Sequence, residues 1–69
     1  MTVVINGERT EIPDGLNVAT MIEYLCLSLD RVALERNLDI LPRPRWKETP
    51  VQSNDTFEIV HFVGGGYFS

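Results

Sequence analysis

The sequence predicts an α+β fold in which a mixed sheet of four or five strands packs on one main helix. Three observations indicate this class. Short β-branched and apolar runs are separated by turn signals, a single segment has the apolar periodicity of a helix, and the chain has 69 residues. A chain of this length buries only about 60% of its unfolded surface, so one sheet on one helix is the simplest way to build a core.

The first element is a predicted β-hairpin. Residues 2–5 are β-branched and apolar, as in a strand, and the returning strand is expected over residues 9–12, where polar and apolar side chains alternate. Between them, Asn6 and Gly7 suit the two positive-φ positions of a tight hairpin turn. The turn residues at positions 13–15 (Pro-Asp-Gly) then end the hairpin.

One helix follows, with Asn17 as its predicted N-cap and its end at Leu25 or Leu27. Four apolar residues recur at the spacing that places them on one face of a helix: Val18, Met21, Ile22 and Leu25. This face is expected to pack on the sheet.

The middle of the chain predicts shorter elements. A strand over residues 32–35 ends in a turn at Asn37, and residues 40–41 form a brief strand that prolines then interrupt. Residues 43–51 are expected to be irregular, with Trp46 packed against the body of the protein.

The longest predicted strand covers residues 57–63. Alternation places Phe57, Ile59, His61 and Val63 on one face and Glu58, Val60 and Phe62 on the other. Phe57 and Ile59 are expected to enter the core, and His61 is expected to be half-exposed. This order of elements is that of the β-grasp architecture, in which the first and last strands lie parallel at the centre of the sheet. We therefore expect a folded domain over residues 1–63 and a flexible C-terminal tail over residues 64–69.

The composition excludes several classes of function. Six basic and ten acidic side chains give a net charge of −4, which disfavours nucleic acid as the main partner. No apolar run reaches the roughly 20 residues of a membrane span, and the start is not that of a signal peptide. A secreted domain of this size would usually contain paired cysteines, so the single Cys26 favours a cytoplasmic location.

Other candidate site residues have weaker signals. Cys26 is either a nucleophile or a small side chain near a helix end, and the absence of a nearby histidine in the sequence favours the second interpretation. His61 is the single histidine and has no second or third ligand at metal spacing, so no metal site is expected. Five of the six cations fall within residues 31–47, either as a solvated rim or as a surface for an acidic partner.

Several segments of this chain form a recognisable set: EIVHFVGGG at residues 58–66, NGE at 6–8, ALERN at 33–37, PR at 42–43 followed by Trp46, and ND at 54–55. Together they resemble the ThiS family, the ubiquitin-like sulfur carriers of thiamine biosynthesis. A glycine-rich end alone would be weakly specific, since ubiquitin-like proteins and the small subunit of molybdopterin synthase share it. Its combination with the ALERN run and the short length favours ThiS.

The resemblance implies a carrier that binds no cofactor and is a substrate rather than an enzyme. A ThiF-type adenylyltransferase would use ATP to activate the carboxylate of Gly66, and sulfur supplied through a cysteine desulfurase would convert it to a thiocarboxylate. Thiazole synthase (ThiG) would then accept this sulfur. Alternative hypotheses are a carrier for molybdopterin synthesis or tRNA thiolation, and a ubiquitin-like binding module that is never activated.

The glycines suit this chemistry on physical grounds. Gly64 and Gly65 have no Cβ to clash with a narrow channel, and a terminal Gly66 leaves its carbonyl open to attack. The family generally ends at the diglycine, whereas Gly66 is followed here by residues 67–69. We therefore expect a processing peptidase, such as a JAMM-type metallopeptidase, to cut after Gly66. The alternative is that the three residues are a neutral extension.

Two apolar residues are candidates for contact with these enzymes. Val60 and Phe62 are expected on the open face of the sheet, close to the tail in sequence, where exposed apolar side chains favour partner docking. The alternative is that both cover a second small core beneath residues 43–51.

Overall fold

The computed structural model describes residues 1–61 of the chain. The strands are β1 (Thr2–Ile5), β2 (Glu8–Glu11), β3 (Val32–Arg36), β4 (Asp39–Ile40) and β5 (Thr56–His61); α1 is Val18–Tyr24, and Arg43–Glu48 is a 3₁₀ helix. The five strands form one sheet in the order β2-β1-β5-β3-β4. β1 and β5, the first and last strands, are adjacent and parallel, so the predicted α+β, β-grasp arrangement is confirmed.

The hairpin forms as predicted, with β2 shifted by one residue. Ile5 pairs with Glu8, which leaves a two-residue loop of Asn6 at φ 51° and Gly7 at φ 84°. Because a two-residue turn of this kind starts the returning strand at once, β2 begins at Glu8 and not at residue 9.

The helix begins where predicted but ends earlier. Asn17 caps it by accepting a hydrogen bond from the Thr20 N–H, at 2.8 Å. At the other end, Cys26 adopts φ 62° and donates its N–H to the Glu23 carbonyl, while Leu27 donates to the carbonyl of Ile22. These two bonds form a Schellman motif, so regular helix stops at Tyr24 and does not reach Leu25 or Leu27.

The core lies between α1 and one face of the sheet. Three members of the predicted helix face are buried and Leu25 is half-buried against them. The buried apolar residues are Val3, Ile12, Val18, Ala19, Met21, Ile22, Val32, Leu34, Trp46, Val51 and Phe57.

The segment predicted to be irregular contains regular structure. Arg43–Glu48 is a 3₁₀ helix whose N-cap is Pro42, with proline in its first turn. Proline is tolerated at the start of a helix because the first N–H groups have no intrahelical partner, so prolines that suggested an interruption begin a helix instead. The predicted packing of Trp46 is confirmed, since its ring is buried and Nε1 donates to the Leu41 carbonyl at 2.9 Å.

Asp55 is a buried charge at the entry to β5. The residue is only 6% exposed. Its carboxylate accepts hydrogen bonds from Arg36 Nε at 3.1 Å, Asn37 Nδ2 at 3.2 Å and the Gln52 N–H at 2.9 Å. The carboxylate therefore joins the end of β3 and the turn after it to the loop that leads into β5.

The C-terminal end of the predicted domain lies outside the described residues. This applies to Phe62, to the proposed boundary at residue 63 and to the tail, residues 64–69. Within residues 1–61, α1 is too short to cross a membrane, and the other helical segment is shorter still.

We expect Asp55→Ala to lower the free energy of unfolding by about 3 kcal/mol, because it leaves the partly buried Arg36 guanidinium without its carboxylate. Urea denaturation followed by circular dichroism measures the loss. Asp14→Ala is the control: Asp14 pairs with the Met1 amine at 2.9 Å, but its side chain is 85% exposed. That change should cost less than about 1 kcal/mol. Equal losses for the two variants would contradict the role given to Asp55.

Candidate functional site

The candidate site is built on β5, the strand that leads to the glycines. β5 lies between β1, with which it pairs in parallel, and β3, with which it pairs antiparallel from Val32↔His61 to Arg36↔Phe57. A strand with a neighbour on each side is held more firmly than an edge strand. At Thr56 and Phe57, β5 therefore belongs to the centre of the sheet, whereas its last described residues pair with β3.

The pairing of β1 with β5 is short, and the Asn6 side chain continues it. The two strands pair at two positions, Val4 with Thr56 and Ile5 with Phe57. Beyond these pairs, the Asn6 amide bonds to both backbone groups of Ile59: Nδ2 donates to the carbonyl at 3.2 Å, and Oδ1 accepts from the N–H at 2.7 Å. The side chain thus takes the place that a further residue of β1 would have filled.

Sequence reasoning assigned Asn6 to the turn alone. Its φ of 51° confirms that assignment, but the contact with Ile59 joins residues 53 positions apart. An Asn-Gly pair is explained by turn geometry, so nothing local in the sequence indicates the second role.

The two faces of β5 differ as predicted. Phe57 is buried and Ile59 is half-buried against the core, whereas Glu58 and Val60 are exposed on the face away from α1, which we call the open face. Val60 is 55% exposed and lies opposite Ala33 of β3. His61, predicted to be a half-exposed strand residue on the same face as Phe57, is exposed. The core contacts of this face therefore end before the last described residue.

The position of Val60 decides between its two interpretations. In the second-core interpretation, residues 43–51 cover Val60. In the structure, the 3₁₀ helix packs on α1 instead, and Trp46 enters the core on the α1 side of the sheet. Val60 remains exposed, so the second-core interpretation is wrong for this residue. Phe62 lies outside the described residues, and its docking role stays a prediction.

Two of the clustered cations have structural roles. Arg36 binds Asp55, and Arg43 donates to the carbonyls of Leu29 at 2.7 Å and Val32 at 2.6 Å. The Arg43 guanidinium also lies over the Trp46 ring, 5.3 Å from its centroid. These contacts are structural for Arg36 and Arg43, whereas Arg31, Arg45 and Lys47 are exposed.

Cys26 lies at a helix end, as the favoured interpretation expected. It is exposed and occupies the left-handed position after α1. Among residues 1–61, no group of three or more His, Cys, Asp or Glu side chains could hold a metal ion. Gly64, Gly65 and Gly66, the predicted residues of the tail chemistry, lie outside the described residues.

Comparison with known proteins places this arrangement in a family. The model of the ThiS family matches residues 3–66, which is nearly the whole chain. The chain belongs to the ThiS family. A crystal structure of the thiamine biosynthesis protein ThiS from Geobacter metallireducens superposes with a TM-score of 0.80 at 29% identity, covering 96% of this chain and all of that one. The resemblance and the β-grasp fold inferred from the sequence are both confirmed.

Two sequence relatives extend the comparison. The sulfur carrier protein ThiS of Bacillus subtilis is 49% identical over 35 residues, 51% of this chain and 53% of that protein. A thiazole synthase of Paramagnetospirillum magneticum is 38% identical over 66 residues, 96% of this chain. The chain spans 20% of the length of that synthase.

Asn6→Gly tests the side-chain contact with Ile59. Glycine accepts the positive φ, so the change removes the two amide hydrogen bonds and leaves the turn intact. We expect a loss of about 1–2 kcal/mol in unfolding free energy and faster hydrogen exchange at the Ile59 N–H.

Asn54→Gly is the matched control for this change. Asn54 also has a positive φ, of 70°, and its hydrogen bond to the Thr2 carbonyl uses the backbone N–H, which glycine keeps. Exchange at Ile59 should be unchanged in that variant. If Asn6→Gly also left Ile59 exchange unchanged, the amide would not extend the strand pairing in solution.

Proposed function

We propose that this chain is a sulfur carrier for synthesis of the thiamine thiazole, acting as a substrate of other enzymes and not as a catalyst. The supporting observation is membership of the ThiS family over residues 3–66, a match that includes the glycine run. The described residues agree with a carrier: the structured part is a small sheet on one short helix, and its central strand leads toward the glycines.

The proposed chemistry takes place at Gly66. Its carboxylate attacks the α-phosphorus of ATP on a ThiF-type adenylyltransferase, which forms an acyl-adenylate and releases pyrophosphate. Hydrosulfide then attacks the acyl carbon and AMP leaves; its sulfur originates from cysteine as a desulfurase persulfide, from which a thiol reductant releases it. The product is a thiocarboxylate, and ATP is consumed by the enzyme without being bound as a cofactor of the carrier.

Thiazole synthase is the proposed acceptor of this sulfur. The support comes from the Paramagnetospirillum magneticum protein, in which a segment 38% identical to this chain forms part of a longer chain named thiazole synthase. A carrier segment and a synthase in one polypeptide suit a direct transfer between them. We propose the same transfer here between separate partners in the cytoplasm, where a free thiol such as Cys26 persists.

Gly66 needs a free carboxylate for this reaction. In the sequence it is joined to Tyr67 by a peptide bond, and an amide carbonyl is too poor a nucleophile to displace pyrophosphate from ATP. We propose that a peptidase cuts after Gly66 before activation. Gly64 and Gly65 then enter the active sites of the partner enzymes, because residues without a Cβ pass through a narrow channel.

The activation prediction compares two forms of the chain. A version that ends at Gly66, incubated with ATP, sulfide and the native ThiF-type enzyme, should gain the 16 Da of a carboxylate-to-thiocarboxylate exchange, about the mass difference between sulfur and oxygen. The form that retains residues 67–69 should stay unmodified, because its Gly66 carbonyl is an amide. Intact-mass spectrometry measures both.

Each other outcome has a definite meaning. Thiocarboxylate on the uncut form would overturn the processing step, and no adduct on either form would leave the ubiquitin-like binding module. Transfer of the sulfur to an acceptor other than thiazole synthase would indicate a carrier for molybdopterin synthesis or tRNA thiolation.

We also propose that Val60 and Phe62 dock the partner enzymes. The support is the exposure of Val60 on the open face, since its truncation removes apolar surface that the fold itself does not bury. Val60→Ala should change unfolding free energy by less than about 0.5 kcal/mol and weaken enzyme binding severalfold. Titration calorimetry measures the binding.

Tyr24→Ala is the control for docking. Tyr24 is 52% exposed, close to Val60 in accessibility, but it lies on α1. Its truncation should leave enzyme affinity unchanged. Phe62→Ala should weaken binding in the same way as Val60→Ala, and a large loss of stability in Phe62→Ala would instead favour burial of that ring.

A further inference from the structure

A groove of about 310 Å³ crosses the open face beside Val60. Its lining comes from β3, β4 and β5 and consists of Ala33, Leu34, Glu35, Ile40, Glu58 and Val60. Three of these residues, Ala33, Ile40 and Val60, are apolar on the open face, and two are carboxylates; the Leu34 side chain is buried in the core on the other face. We call this feature the open-face groove.

The apolar side chains of the groove are exposed to solvent. Ile40 is 78% exposed and Val60 is 55% exposed, and Ala33 lies opposite Val60 in the register of β3 and β5. A partner side chain seated in the groove would remove this apolar surface from water.

The two carboxylates lie directly across from each other. Glu35 pairs with Glu58 in the antiparallel register of β3 and β5, which puts their Cβ atoms about 5 Å apart. Like charges in such a position are destabilising. In the described part of the chain, the salt bridges join Met1 to Asp14 and Arg36 to Asp55, so neither glutamate has a cation within 4.0 Å there.

The apolar and acidic side chains of the groove together favour one kind of partner side chain. An arginine has an apolar stem that can lie along Val60 and Ile40, and a flat guanidinium with five N–H donors that can bond two carboxylates at once. A lysine has the same type of stem, but its ammonium is compact and more strongly hydrated. Charge and shape together therefore favour arginine.

The position of the groove indicates which protein supplies the arginine. His61, the last described residue of β5, is five residues before Gly66, and five extended residues span at most about 17 Å. An enzyme whose active site holds Gly66 must therefore lie close to the end of β5, where Val60 forms one wall of the groove. This step rests on the proposed function, in which the adenylating enzyme is the first to bind Gly66.

We propose that the open-face groove binds an arginine side chain of the adenylating enzyme, with its guanidinium between Glu35 and Glu58. The repulsion between the glutamates in the free carrier is then relieved in the complex. The repulsion makes the free carrier less stable, and the contact of both glutamates with the guanidinium distinguishes the partner enzyme.

The test uses Glu58→Gln in the version that ends at Gly66, assayed with the native ThiF-type enzyme. Two effects of opposite sign are expected. The variant should unfold at higher urea concentration than the unchanged carrier, because the like-charge contact is gone. Its KM for adenylation should rise about tenfold, with kcat little changed, because the guanidinium loses one carboxylate. A residue with only a structural role would not raise stability and weaken binding together.

Glu23→Gln is the matched control. Glu23 is exposed on α1, and its replacement changes the net charge by the same amount. It should leave KM unchanged, which separates a local contact from the effect of net charge on association. The KM of Glu58→Gln should also depend less on salt than that of the unchanged carrier.

Glu35→Gln and the double variant complete the design. Because both glutamates contact one guanidinium, the two single changes should not be additive, and the double variant should lose less than their product. Equal KM values for Glu58→Gln and Glu23→Gln, or a loss of stability in Glu58→Gln, would overturn the proposal. If the unchanged Gly66-terminated carrier were not adenylated at all, the proposed function itself would fail, which is a separate result.

Discussion

The parallel pairing of β1 with β5 is the contact on which the rest of this structure depends. It joins the first residues of the chain to the last described ones, yet its backbone register covers only two pairs. Hydrogen bonds secure both ends: the Val4 N–H donates to the Asp55 carbonyl at 2.9 Å, and the Asn6 amide bonds to Ile59. The strand that precedes the glycines is therefore held at its entry and near its exit.

This construction divides the polar groups between stability and recognition. On and around the core side, charges are paired or bonded to backbone: Asp55 with Arg36, and Arg43 with two carbonyls. On the open face, Glu35 and Glu58 face each other beside exposed apolar side chains. Groups that stabilise the fold are thus separated from groups suited to a partner, and the second kind can be changed with little loss of core packing.

Much of this fold could be predicted from local patterns, and the failures have a common cause. The turn at Asn6-Gly7, the N-cap at Asn17 and the alternation of Phe57 to Val60 depend on near neighbours, and each was predicted correctly. The 3₁₀ helix after Pro42 was missed because proline is compatible both with interrupting structure and with beginning a helix. The Asp55 network was missed because its donors come from separate segments.

Composition and local periodicity were sufficient for the α+β class and for the order of strands and helix along the chain. Each of these depends on side-chain preferences over a few adjacent residues. The folded arrangement alone brings Glu35 opposite Glu58 and places the Asn6 amide against Ile59. Such contacts follow from strand register, and register is set when distant segments bury one common core, so no short stretch of sequence contains it.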